Sequence, residues 1–457
     1  MKVRTGAAAL LLVLAVMIGF TVNSSLSSKA RDSLGSVQAS GQSKVAATDG
    51  LQAAFIRSSK LWIQSGSAER QLAEAPANGA LLRYPKWSQD GRWIAYTREE
   101  RSGARELHII EVESGRDQAV GLADGYYEWS PTESRLAYVQ QGELSWVEAQ
   151  ELHKPVTTAV KEISNFSWLP DGSGFFASTQ AKPSGDGDGD MMDWTQVKLL
   201  RIPLTAADDP SRFETVYTLP KPSEQLLAIG TSPFRWSADG KWIAFLAIPT
   251  ASLSADGNAL CIISSDGRIF RQVDEMVNNS EWFEWSPEGA ALAYIGGAGR
   301  MATANKQLRT IADPSAQPQS HTPQGKVDQG FVWDGPTRII VSRAAESEWD
   351  NDSTKRPYPT LFAIDLTTGG QQPLTEAAKA SNASAAYGEY DPTILSKGRL
   401  AWVRSNRASA DVMLGSRSGD NASVWIRELD LGDNFYEQWR WDAVLAYHPQ
   451  SLTSSKK

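Results

Sequence analysis

The chain has 457 residues, 41% of them hydrophobic and 21% charged, with 17 Trp, 12 Tyr and 13 Phe. This is the composition of a soluble globular protein with a heavy aromatic load. Its net charge of −8 excludes the basic surface that nucleic-acid binding or attraction to anionic lipid requires, so no nucleic-acid partner is expected.

Lys2 and Arg4 precede an uncharged apolar run over residues 6–22. Seventeen residues lie at the lower limit, ~17, for spanning a bilayer, so residues 1–22 read as a signal peptide or a membrane anchor. The segments 28–30 (SKA) and 45–47 (VAA) offer small-residue cleavage sites. No Cys follows the run, which excludes a lipoprotein anchor. Residues 23–50, rich in Ser, Ala, Gly and Gln, read as a flexible linker. The expected location is extracytoplasmic, anchored to the cytoplasmic membrane by a single N-terminal segment or secreted.

From residue 51 the chain is organised by an internal repeat. Copies are WSQDGRWIAY from Trp87, WSPTESRLAY from Trp129, WLPDGSGFFA from Trp168, WSADGKWIAF from Trp236 and WSPEGAALAY from Trp285. A shortened copy starts at Trp333 and a worn one at Asp391. Each reads as a strand, a tight turn and a second, β-rich strand, with Asp-Gly, suited to positive φ, supplying the turn at Asp90-Gly91, Asp171-Gly172 and Asp239-Gly240. Two more strands follow in most units, giving four short strands per ~40–50 residues, the spacing of a propeller blade. Strand pairs near 53–64, 94–112, 136–148, 175–202, 243–264, 292–311, 339–366 and 400–429 count eight units, or seven if two weak ones share a blade. The first unit lacks its inner strand, and the aromatic segment 435–447 (FYEQWRWDAVLAY) is the candidate to supply it, with a terminal helix as the competing reading. The propeller is expected over 51–449, with a disordered tail at 450–457. Extra residues collect between second and third strands, at 180–195, 247–258, 343–359 and 404–423, so one face carries long loops and the opposite face the Asp-Gly hairpins.

Within the first long loop, Asp186, Asp188 and Asp190 alternate with Gly, as at the start of a calcium loop. Met191 and Val197 stand where an EF-hand needs Gly and Glu, so a solvated acidic loop outweighs a calcium site. Glu348, Asp350 and Asp352 form a second such loop. Trp194 and Trp349 fall in long loops, outside the repeat, and are the candidate partner-binding residues. The four histidines show no metal-ligand spacing, and Cys261 reads as a small buried hydrophobe. No G-x-S-x-G nucleophile motif, phosphate loop or dinucleotide fingerprint occurs, so no catalytic residue is named and no cofactor beyond calcium is expected.

The W-S-x-D-G-x-x-I-A-Y pattern resembles the TolB-like, WD-like propeller repeat, and that of the propeller domains of prolyl-oligopeptidase-type enzymes, over roughly 51–430. The resemblance implies an all-β propeller. It also implies a bacterial extracytoplasmic monomer serving as a non-catalytic binding or scaffold module for a protein or cell-envelope partner. The specific Tol role is not expected, since 23–50 has no room for the further domain of TolB. The alternative is a carbohydrate-active lyase or hydrolase with its site at the propeller axis on the long-loop face. Titratable residues clustered at the axis favour an enzyme, and an open apolar patch favours a binder.

Overall fold

The computed structural model describes residues 48–452 apart from 123–125, 184–193, 207, 224–225 and 377–385. The expected signal segment, most of the expected linker and the calcium-loop candidates Asp186, Asp188 and Asp190 lie outside the described residues. Among those described, no helix is long and apolar enough to cross a membrane.

Eight antiparallel sheets form an eight-bladed propeller, the larger of the two expected counts. Each repeat builds its hairpin by local chemistry. In the blade starting at Leu81–Trp87, Ser88 Oγ donates to Asp90 Oδ1 at 2.6 Å and accepts from Trp93 N at 3.0 Å. Ser237, Asp239 and Trp242 repeat this at 2.7 and 3.0 Å. The turn glycines Gly91 and Gly240 have φ of 69° and 68°, which glycine reaches without Cβ strain. The strand that follows is buried on both faces: Ile243, Ala244, Phe245, Leu246 and Ala247 are all fully buried, as expected for a strand between two neighbouring sheets.

The repeat Trp is the seam between blades. Trp129 Nε1 donates to Lys86 O at 2.9 Å, Trp168 to Glu128 O at 3.0 Å, Trp285 to Arg235 O at 2.9 Å and Trp333 to Glu284 O at 3.0 Å. In each case the acceptor immediately precedes the Trp of the previous copy.

The ring is closed by both chain ends. Leu445–Tyr447 forms the inner strand of the first blade and pairs with Gln52–Arg57, followed outward by Lys60–Ser65 and Ala68–Glu74. Trp87 donates to Ala446 O at 3.1 Å, so the seam runs across the closure. Only the end of the aromatic segment is that strand. Before it, Asp433–Phe435 and Gln438–Arg440 make a two-stranded hairpin outside the blades. Past it, Ser451 Oγ accepts from Gln52 N at 2.8 Å and Leu452 bridges to Leu395.

That hairpin crosses the long-loop face. Asp433 accepts from Tyr84 Oη, Tyr436 O from Ala302 N at 2.9 Å, and Arg300 O from Gln438 Nε2 at 2.5 Å. Glu437, whose side chain is 1% exposed, lies 2.7 Å from Arg356 and 3.1 Å from Arg407, in the long loops of the last two blades. Four blades thus hold the crossing, and a buried carboxylate with two guanidinium partners anchors its tip.

Candidate functional site

The axis holds a cavity of about 750 Å³. Gln89, Pro131, Pro170, Ala238 and Pro287, all in first-to-second-strand turns, line its mouth, so it opens on the hairpin face. At the other end it meets Asp442, in the segment that follows the crossing.

Charged groups converge on this cavity. Lys86, Glu128, Arg235, Glu284 and Asp391 come from inner strands, Glu281 from the short helix that leads into the strand of Glu284, and Asp442 from the C-terminal segment. Five carboxylates face two cations, with Arg440 held behind Asp442 at 2.8 Å. Lys86 Nζ donates to Tyr127 O at 2.9 Å and sits 4.4 Å from the centre of the Tyr126 ring, a cation–π contact. Burial pulls its pKa below the usual lysine range. Burial pushes the Glu128 carboxyl up to about 7, against the lowering effect of Lys86 and of the Trp168 N–H that donates to it at 3.2 Å. Arg235 donates to Ser280 O at 3.0 Å and Glu281 at 2.8 Å; burial opposes its charge, but Glu281 and Glu284 more than offset it. A carboxyl titrating near neutrality in an acidic chamber is suited to proton exchange with a bound molecule.

None of these residues was among the sequence candidates, yet four carried a signal. Lys86, Glu128, Arg235 and Glu284 each stand immediately before a repeat Trp, as K-W, E-W, R-W and E-W in otherwise apolar strands. The expected candidates lie elsewhere. Trp194 is half-buried, bridges to Pro183 and packs on the core of its blade. The Arg356 guanidinium lies over Trp349, 4.4 Å from the ring centroid, and Trp349 stands edge-on to Tyr436 at 5.2 Å, so it clasps the crossing. The two are not brought together at the axis. Asp350 accepts from Asp352 N at 2.8 Å, and Asp352 caps a short helix through Thr354 N at 3.0 Å. No three His, Cys, Asp or Glu side chains among the described residues are grouped to hold a metal ion. His108 is a satisfied histidine between Asp117 at 3.2 Å and Glu106 at 3.1 Å. Burial pushes the Cys261 thiol up to about 12.

No protein-family model and no curated protein matches the chain. Among solved structures it is similar to a puromycin hydrolase, at 15% identity and TM-score 0.48 over 76% of this chain and 54% of that one. It is also similar to a eukaryotic initiation factor, at 14% identity and TM-score 0.50 over 89% and 90%. TolB from Acinetobacter baumannii matches at 15% identity and TM-score 0.35 over 60% and 66%, and a prolyl endopeptidase matches too. The fold is an eight-bladed β-propeller, and the structures it matches include TolB and prolyl-oligopeptidase-type enzymes. At these identities the likeness is one of fold alone. The chain spans about half the length of the peptidases it matches.

Two functional expectations are corrected. The non-catalytic scaffold gives way because the axis holds the titratable cluster that distinguishes a reactive site from an apolar docking patch. The alternative, an axial site on the long-loop face, gives way because residues 431–443 cover that end and the cavity opens on the hairpin face.

Proposed function

We propose that the TolB-like propeller takes a compact cationic small molecule, an amine, into its axial cavity through the hairpin-face mouth. There Glu128, which gains its charge as pH rises through neutrality, sets the pH dependence of binding, while Lys86 and the other carboxylates set the field. The observation that carries this reading is the charge of the chamber: five carboxylates against two cations in a cavity of about 750 Å³. Such a volume lies in the range, ~300–1,000 Å³, of small-molecule sites. Low-dielectric walls strengthen the attraction of an acidic chamber for a cation. The pKa of Glu128, about 7, means that its carboxyl gains charge as pH rises through neutrality, which strengthens the hold of the chamber on an ammonium.

The test is calorimetric titration of the full chain with size-matched amines, neutral polyols and carboxylic acids. Amines should bind, acids should not, and Glu128→Gln should remove the pH dependence of amine affinity between pH 6 and 8 while leaving the fold intact. Preferential binding of acids or neutral polyols would overturn the proposal.

A further inference from the structure

A second, smaller pocket of about 50 Å³ adjoins the axial cavity beneath the C-terminal crossing. The two share Glu281, Asp391 and Asp442. Its remaining wall includes Gln329, Trp439 and Trp441. With the share of liquid volume per water at ~30 Å³, there is room for only a few heavy atoms.

Two of these wall residues carry polar atoms without a partner. Gln329 is 9% exposed; its Nε2 donates to Ala302 O at 3.1 Å, but its Oε1 accepts from nothing. Trp441 is 3% exposed and its Nε1–H donates to nothing. Leaving a buried polar atom unmatched costs roughly 1–3 kcal/mol. The strands that bring Gln329 and Asp391 to the pocket are also bulged, with register shifts between Asp328 and Phe331 and between Tyr390 and Thr393. Asp391 sits in one bulge at φ 49°, a conformation rare for a residue with a Cβ. Bulges re-aim side chains next to functional sites, and strained positions persist where the surroundings over-determine them. Residues carrying an unmatched donor, an unmatched acceptor and a strained backbone thus line one small pocket, at the closed end of the acidic cavity.

We infer that this pocket is the head-group subsite of the axial site, and that it takes a primary ammonium with an oxygen acceptor one or two carbons away, as in a vicinal amino alcohol. The inference rests on the cationic reading of the axial cavity. The ammonium donates to Gln329 Oε1 within the field of Asp391 and Asp442, beside the indoles of Trp439 and Trp441, which favour a cation over a neutral group. The ligand oxygen accepts from Trp441 Nε1. The pocket excludes anything bulkier at this end, so the rest of the molecule extends toward the hairpin-face mouth.

The test compares ethanolammonium, ethylammonium and ethylene glycol by ligand-observed and amide NMR titration at millimolar concentration, where fragments this small bind. Ethanolammonium should bind tightest, ethylammonium several-fold weaker, and ethylene glycol not at all. Gln329→Leu should weaken both amines about tenfold. Gln329→Glu, which keeps size and adds charge, should tighten both. Trp441→Phe should erase the advantage of ethanolammonium over ethylammonium and leave the latter unchanged. Amide spectra of the free variants establish that each is folded. If ethylene glycol competes equally, or if both Gln329 variants bind amines as the wild type does, the subsite is overturned. Amine binding that responds to Glu128→Gln but to neither Gln329 nor Trp441 would overturn the subsite alone and leave the axial reading standing.

Discussion

Trp168 reaches back to Glu128 twice: its indole Nε1 donates to the Glu128 carbonyl at 3.0 Å, and its own backbone N–H donates to the Glu128 carboxylate at 3.2 Å. The residue that defines the repeat is therefore also the residue that places a carboxyl of the axial cavity. Stitching and site are parts of one device, because Lys86, Glu128, Arg235 and Glu284, each just before a repeat Trp, have their carbonyls taken by the next blade and their side chains left at the axis.

Removing an indole N–H that has a partner should cost more than removing one that has none. Trp129→Phe loses the 2.9 Å bond to Lys86 O and leaves a carbonyl without its partner, for ~1–3 kcal/mol. Trp236 Nε1 is buried and donates to nothing, so Trp236→Phe should cost less by about 1 kcal/mol. Chemical denaturation of the two variants checks this, and equal losses would refute the stitching role.

Glu128 links stability to pH. Its unfolded value is near 4.5 and its folded value is raised to about 7, so the native state binds the extra proton between these values. Stability contributed by its protonated form is present below pH ~4.5 and is lost as pH rises through ~7. Glu128→Gln, which has no charge to bury, should therefore gain on the wild type between pH 5 and pH 8, by on the order of 1–3 kcal/mol. Thermal melts across that range decide the matter, and a gap that does not widen with pH would refute it.

The crossing over the long-loop face depends on one buried carboxylate. Glu437→Gln leaves Arg356 and Arg407 without their counter-charge at 2.7 and 3.1 Å. Breaking such a pair costs ~3–5 kcal/mol. Hydrogen exchange should accelerate over residues 431–443 before it does so in the blades. Unchanged exchange there would mean that Asp433 and Gln438 suffice to hold the crossing.

Ring closure predicts a global effect from a short truncation. Ending the chain at Val444 removes the inner strand Leu445–Tyr447 and bares the edge of Gln52–Arg57. It also removes the acceptor of Trp87 and the Tyr447 ring stacked on Trp425 at 6.3 Å. The expected loss is on the order of 5 kcal/mol from burial and hydrogen bonds together, with self-association through the open edge. Calorimetry and sedimentation measure both, and a monomer with an unchanged Tm would refute the closure role.

The sequence by itself determined the propeller. Seven copies of a strand, a tight turn and a buried strand are local patterns, and local patterns with period two and glycine turns survive reading in one dimension. It also held, unread, the K-W, E-W and R-W pairs that carry Lys86, Glu128 and Arg235 to the axis. Only the tertiary structure decided which face works. The segment 435–447 looked like one strand, but its first half crosses the long-loop face and only its end enters a blade. Nothing in FYEQWRW announces that Glu437 will meet Arg356 and Arg407, because those partners come from two other blades. The axial site has the same character. Its carboxylates stand up to 314 positions apart, from Glu128 to Asp442, and the closing of a ring, which no local pattern encodes, brings them into one chamber.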